Sequence, residues 1–183
     1  MNNSIRVGVF LASPFAKVPD YGSEESACFD MRACIKDVDH LTVYRSNNEK
    51  INVPVVLGQT FVDDVVTECH SIVVRPHERL LVPTGLIFDI PEGYSIRLHP
   101  RSGLSLKYGI VLQNCEAVID SDFVHQTQLM IVNNSEKSFV FSHGDRLCQG
   151  EVVKDLKVGF DVIDTAPDQR TSRNGGLGHT GVK

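Results

Sequence analysis

The sequence predicts an all-β sandwich or barrel carrying one short helix. Short apolar runs with alternation or β-branched content recur along the chain, and Gly, Pro, Asn and Asp break them every 8–12 residues or so. A single stretch, 102–108, reads as helix. Strands are expected at 5–10, 40–44, 72–75, 79–82, 86–90, 94–98, 110–112, 128–132, 138–141, 146–153 and 158–163. The first alternates as Ile5, Val7, Val9, and the last as Val158, Phe160, Val162. Pro76-His77-Glu78 and Pro91-Glu92-Gly93 read as hairpin turns. In the helix, Ser102 is the expected N-cap and Gly109 the C-terminal stop. Residues 45–70 interrupt the strand rhythm and read as an insertion, a hairpin turning around Gly58-Gln59. So few residues could not bury a core of their own. The last residues, 168–183, are polar and Gly-rich and read as a flexible arm after a domain spanning 1–167.

At 183 residues the chain is one domain in length, and 42 % hydrophobic with 22 % charged residues is ordinary globular stock. It holds no apolar run near the ~20 residues that cross a bilayer. The Met1-Asn2-Asn3-Ser4-Ile5-Arg6 start has no secretory pattern, so a cytoplasmic protein is expected. A net charge of −5 speaks against a general nucleic-acid binder, so local groups must hold any polyphosphate ligand. The five cysteines and seven histidines are scattered without metal-ligand spacing. Reduced, buried thiols are the expectation.

Four constellations could carry chemistry. Pro100-Arg101-Ser102-Gly103 offers a guanidinium, a hydroxyl and helix N–H groups together, a phosphate cradle or a plain capped turn. Asp120 and Asp122 share a face if their segment is a strand and diverge if it turns. Gln149, in Gly144-Asp145-Arg146-Leu147-Cys148-Gln149, is a polar residue among apolar ones, lining a pocket or facing outward. The segment from Arg173 to Gly181 combines glycines, a guanidinium and the Thr180 hydroxyl.

In this order the constellations resemble the homotrimeric dUTPase family, deoxyuridine triphosphate nucleotidohydrolases. Ala27-Cys28-Phe29-Asp30-Met31-Arg32-Ala33 is similar to the first family motif, with Cys28 in place of glycine. Pro100 to Leu104 matches the second in full. Ala117 to Phe123 is similar to the third, Gly144 to Gln149 to the fourth, and Arg173 to Gly181 to the fifth.

The resemblance implies a jelly-roll-like β-sandwich or distorted barrel, a homotrimer with shared active sites, and hydrolysis of dUTP to dUMP and pyrophosphate. It implies Asp120 as the catalytic residue, activating water against the α-phosphate. Mg2+ is the implied cofactor, meeting the protein through phosphates and water, with Asp30 in reach of its water shell. Arg101, Ser102, Gly103 and Gln149 would bind phosphate. Asn114, Val118 and Ile119 would meet uracil, and Phe123 the deoxyribose. Arg173, Leu177, His179 and Thr180, on the arm of one subunit, would close over a neighbour's site.

Phe123 stands where the family has Tyr, Leu177 where it has Phe, and His179 where Ser is common. Stacking should survive the first change, while the second removes about 0.5–1.5 kcal/mol of aromatic contact. A dCTP deaminase-like enzyme and a non-catalytic trimeric binding module are the competing readings. Asp120 in Ile-Asp-Ser-Asp and the Gly-Gly-Leu-Gly tail argue against the deaminase.

Overall fold

The computed structural model describes residues 5–62 and 65–172. The chain opens with β1 (Gly8–Leu11), β2 (Asp20–Tyr21), β3 (Phe29–Arg32), β4 (His40–Tyr44) and β5 (Lys50–Pro54). It continues through β6 (Val56–Val62), β7 (Val65–Val74), β8 (Arg79–Pro83), β9 (Leu86–Asp89) and β10 (Tyr94–Pro100). After α1 (Ser102–Tyr108) come β11 (Ile110–Leu112), β12 (Ala117–Ile119), β13 (Gln128–Asn133), β14 (Phe139–Ser142) and β15 (Arg146–Lys154).

Two five-stranded antiparallel sheets dominate, ordered β12-β10-β15-β3-β2 and β11-β13-β8-β4-β5. A ribbon of β1 with β9 and a three-stranded sheet β14-β7-β6 complete the fold. Alternation decides what faces inward. Leu41 and Val43 of β4, Leu80 and Val82 of β8, Leu129 and Ile131 of β13, and Ile96 and Leu98 of β10 are all buried. They join one apolar cluster with Met31, Ile35 and Phe141, so the two large sheets form a sandwich. Each of these side chains contributes about 1.5–3 kcal/mol through burial. Among the described residues no helix is long and apolar enough to cross a membrane.

Several expectations need correction. The 76–78 and 91–93 turns exist, but each joins strands of different sheets and so closes no hairpin. The 45–70 stretch takes part in two hairpins. In the first, β4 pairs with β5. In the second, β6 pairs with β7, Gly58 lies mid-strand opposite Cys69, and the register closes at Val62 opposite Val65. Residues 158–163 form no strand, and Phe160 and Val162 are 92 % and 98 % exposed, because among the described residues no ladder partner reaches them. Cys34 and Cys148 are buried, but Cys115 is exposed.

The outward face of the first large sheet positions the site. Directly opposed residues of antiparallel strands share a face. One cross-strand row is therefore Val118, Arg97 and Glu151. The next is His99, Gln149, Asp30 and Asp20.

Candidate active site

Pro100 ends β10, and Arg101 holds an extended backbone with φ −89° and ψ 129° before the helix begins. Arg101 is thus the N-cap residue, without a side-chain capping bond, and Ser102 is the first helical residue. The expected Ser102 cap is not formed, which leaves its exposed hydroxyl unspent on the helix. Gly109 does end the helix, at φ 68°, a left-handed conformation that favours glycine.

Beside the helix start lies a cavity of about 410 Å3, lined by Asp30, Arg101, Ser102, Gly103, Arg146 and Gln149 among others. Asp30 organises it. Its Oδ1 is 3.1 Å from Arg101 Nε and its Oδ2 is 2.9 Å from Arg146 Nη1. The carboxylate is only 11 % exposed, so the two guanidinium groups are what make its burial tolerable. Arg101 Nη1 also donates to the Arg146 carbonyl at 3.2 Å. Gln149 Nε2 donates to the Pro100 carbonyl at 3.3 Å, tying β15 to the strand end.

Lys107 also lines the cavity. Among the described lining residues three cationic side chains face one carboxylate, a surplus of two positive formal charges in a chain of net charge −5. A Cβ built on Gly103 meets nothing within 4 Å, so packing does not demand glycine there, and a side chain would project into open space at the cavity wall. Burial, and then the nearby Glu151 charge, push the Cys28 thiol pKa up, which keeps that lining thiol protonated. The whole is a cationic cavity whose size and charge suit a polyphosphate.

Arg146 and Lys107 are cavity-lining cations that sequence reasoning left unassigned. Lys107 lies four residues after Gly103, one helical turn on, and that spacing is the signal that finds it. Arg146 lies inside the Gly144–Gln149 motif, at a register shift between Arg146 and Cys148.

Other expected site residues lie elsewhere. The chain turns after β12, with the Phe123 N–H donating to the Asp120 carbonyl at 3.1 Å, so Asp120 and Asp122 do not share a strand face. Asp120 borders a separate cavity of about 350 Å3, with Arg97, Lys154, Asp155 and Lys157. Asn114 is exposed in the loop between β11 and β12, strands that pair into different sheets and therefore make no hairpin. Val118 is exposed, and the Ile119 side chain is buried in the core, leaving its backbone for recognition. Phe123 is exposed, its ring edge-on to His125 at 5.7 Å. Arg173, Leu177, His179 and Thr180 lie outside the described residues. One chain thus brings together Asp30, Arg101, Ser102, Gly103 and Gln149, and holds Asp120 apart from them.

The family profile described as dUTPase matches residues 64–181. The deoxyuridine 5'-triphosphate nucleotidohydrolase of Finegoldia magna is 43 % identical over 112 residues, covering 61 % of this chain and 78 % of that protein. The protein of the same name from Hydrogenobaculum sp. is 40 % identical over 123 residues, covering 67 % and 80 %. Among solved structures, the Staphylococcus bacteriophage 80alpha dUTPase with dUPNHPP aligns over 97 % of this chain and 99 % of that one. Its TM-score is 0.70 at 19 % identity, a likeness of fold. The profile match starts within the inserted stretch and leaves out Ala27–Ala33, yet the fold carries Asp30 from that segment into the cavity built by Arg101, Arg146 and Gln149. With well over half of its length matched, the chain belongs to the dUTPase family.

Proposed function

We propose that this chain hydrolyses dUTP to dUMP and pyrophosphate in a homotrimer whose active sites are shared between copies. One observation carries the reading. The phosphate-type cavity and Asp120 occupy separate cavities of a single chain, so a complete site takes the first from one copy and the second from another. The exposed alternating apolar residues Leu156, Val158, Phe160 and Val162 support assembly, because such a segment asks for a partner.

In this reading Arg101, Arg146 and Lys107 neutralise the triphosphate, and Ser102 and Gly103 approach it closely. Gln149 donates to phosphate or to the attacking water. Asp120 of the neighbouring copy orients a water in line with the α-phosphorus and takes its proton. The bond from that oxygen to phosphorus forms as the bond to the bridging oxygen breaks, and pyrophosphate leaves. An exposed carboxylate is a weak base, so positioning and charge neutralisation supply most of the acceleration. The Asn114 loop, Val118 and the Ile119 backbone meet the uracil edge, and the Phe123 ring covers the deoxyribose. The arm residues Arg173, Leu177, His179 and Thr180 close over the bound nucleotide.

Among the described residues no cluster of three His, Cys, Asp or Glu side chains could hold a metal ion. The cavity's one carboxylate already faces two guanidinium groups. This donor set suits a hydrated Mg2+ carried by the triphosphate, with Asp30 reaching at most its waters. Such an ion would add neutralising charge at the phosphates.

Pyrophosphate release across the deoxynucleoside triphosphates tests the reading, with release from dUTP expected. Ammonia release from dCTP would favour a deaminase instead, and neither product would leave a binding module. Asp120→Asn should lower kcat by more than about 100-fold while dUTP still binds. Unchanged kcat would remove Asp120 from the mechanism.

A further inference from the structure

Strand β12 is three residues long and, among the described residues, stands at the edge of its sheet, paired only with β10. Two parts of the proposed machinery flank it, the Asn114 loop before Ala117 and Asp120 after Ile119. A displacement of this strand would move both. Three ladder positions are a weak hold, and the loop has its own backbone anchor at the other end, where Gln113 N–H donates to the Met130 carbonyl at 2.8 Å.

A charged clamp crosses the same strand. Arg97 stands in register with Val118, the middle of β12. Its Nη1 is 3.9 Å from Glu116 Oε1, on the loop side of β12, and it borders the cavity that holds Asp120 on the other side. The guanidinium is itself braced, with Nη2 3.4 Å from Asp155 Oδ1. Asp155 Oδ1 in turn accepts a 2.8 Å hydrogen bond from the fully buried Ser95 hydroxyl. Glu116 has a second partner, His99 Nδ1 at 3.6 Å. Arg97 is 27 % exposed and Glu116 44 %, so the pair is partly shielded from water.

We infer that Arg97 is a positioning residue for β12. Braced by Asp155, it grips Glu116 from the strand next door and thereby sets the place of the Asn114 loop and of Asp120 together. This rests on the proposed roles of Asn114 and Asp120, which act on base and water; Arg97 lines the Asp120 cavity, and the role assigned to it is to hold the strand between them. The clamp is electrostatic and local, so its removal should loosen one strand and leave the sandwich intact.

The test compares Arg97→Met, Glu116→Gln and the double variant. For dUTP, kcat should fall about tenfold in Arg97→Met and about threefold to tenfold in Glu116→Gln. The preference for dUTP over dCTP should fall with it, since the base loop shifts too. The double variant should be no worse than the worse single, because both changes open one clamp. Amide exchange at 117–119 should quicken in all three, while the melting midpoint of the isosteric, half-exposed Glu116→Gln stays within about 2 °C. A purely structural role would lower stability and leave the preference between nucleotides where it was. Wild-type kcat, preference and exchange in both single variants would overturn the inference. Failure of the unaltered chain to release pyrophosphate from dUTP would overturn the activity reading, and exchange at 117–119 would then decide the clamp alone.

Discussion

Asp30→Asn isolates what the cavity's one carboxylate does. The change keeps the shape of the side chain and removes its charge. One oxygen can still accept from a guanidinium, but the new amide turns an N–H donor toward the other, donor against donor. Breaking a fully buried ion pair costs about 3–5 kcal/mol, and losing an exposed one about 0.2–1 kcal/mol. Asp30 is 11 % exposed, against 27 % for Arg101 and 44 % for Arg146, so both cations can swing partly into water. A loss of about 2–3 kcal/mol follows. At about 2–4 °C per kcal/mol for a chain of this size, the melting midpoint should drop by roughly 4–12 °C. KM for dUTP should rise as well, since the guanidinium groups lose the contact that aims them, even though the cavity becomes more positive. Thermal unfolding at one fixed protein concentration, paired with steady-state kinetics, reads both effects. A midpoint within about 1 °C of the unaltered protein, with unchanged KM, would refute the claim that Asp30 holds the cavity together.

Other substitutions probe separate features. Gly103→Ala adds a methyl group where nothing lies within 4 Å, so thermal stability should hold while KM for dUTP rises; unchanged KM would place the phosphates elsewhere. Phe160→Asp alters a side chain 92 % exposed in the single chain, so it should leave the isolated fold intact and dissociate the assembly in sedimentation. An unaltered sedimentation profile would show that Phe160 packs against no neighbour. His143 Nδ1 accepts the Ile35 N–H at 3.2 Å, and burial, then Lys36 and His70, hold its pKa below the ordinary 6.5. The unfolded chain therefore binds that proton first, so His143 contributes stability that is present above about pH 6.5 and is lost as pH falls through its lower folded value. Denaturant midpoints measured from pH 8 to 5 should decline over that window, and decline less in His143→Gln.

Alternation of buried apolar residues was readable in many strands that turn one face to the core, although β12, with Ala117 and Ile119 buried around exposed Val118, was left open between strand and turn. His40–Tyr44 and Ile110–Leu112 coincide with their expected bounds for that reason. Strand β3 was not readable, because Asp30 is buried alongside Phe29 and Met31 and its two guanidinium partners are distant in sequence. Gly58 looked like a turn, yet it sits in a strand where a Cβ would lie 3.6 Å from Cys69 Sγ, ordinary contact distance. The alternation of 158–163 is real, but a strand is a relation between two segments, and among the described residues none pairs with this one. In the site, the short motifs carried Asp30, Arg101 and Gln149 to one cavity, whereas the clamp around Glu116 joins residues of β10, the residue just after β15 and a loop, which no linear spacing announces.

Holding Arg101 and Asp120 in separate cavities has a genetic consequence. In the proposed trimer, a chain crippled at Arg101 and another crippled at Asp120 would each be inert alone, yet mixed assemblies would regenerate whole sites wherever the sound halves meet. With random mixing in equal amounts, about a quarter of the sites would be restored, whereas a chain bearing both lesions would rescue nothing when blended with itself.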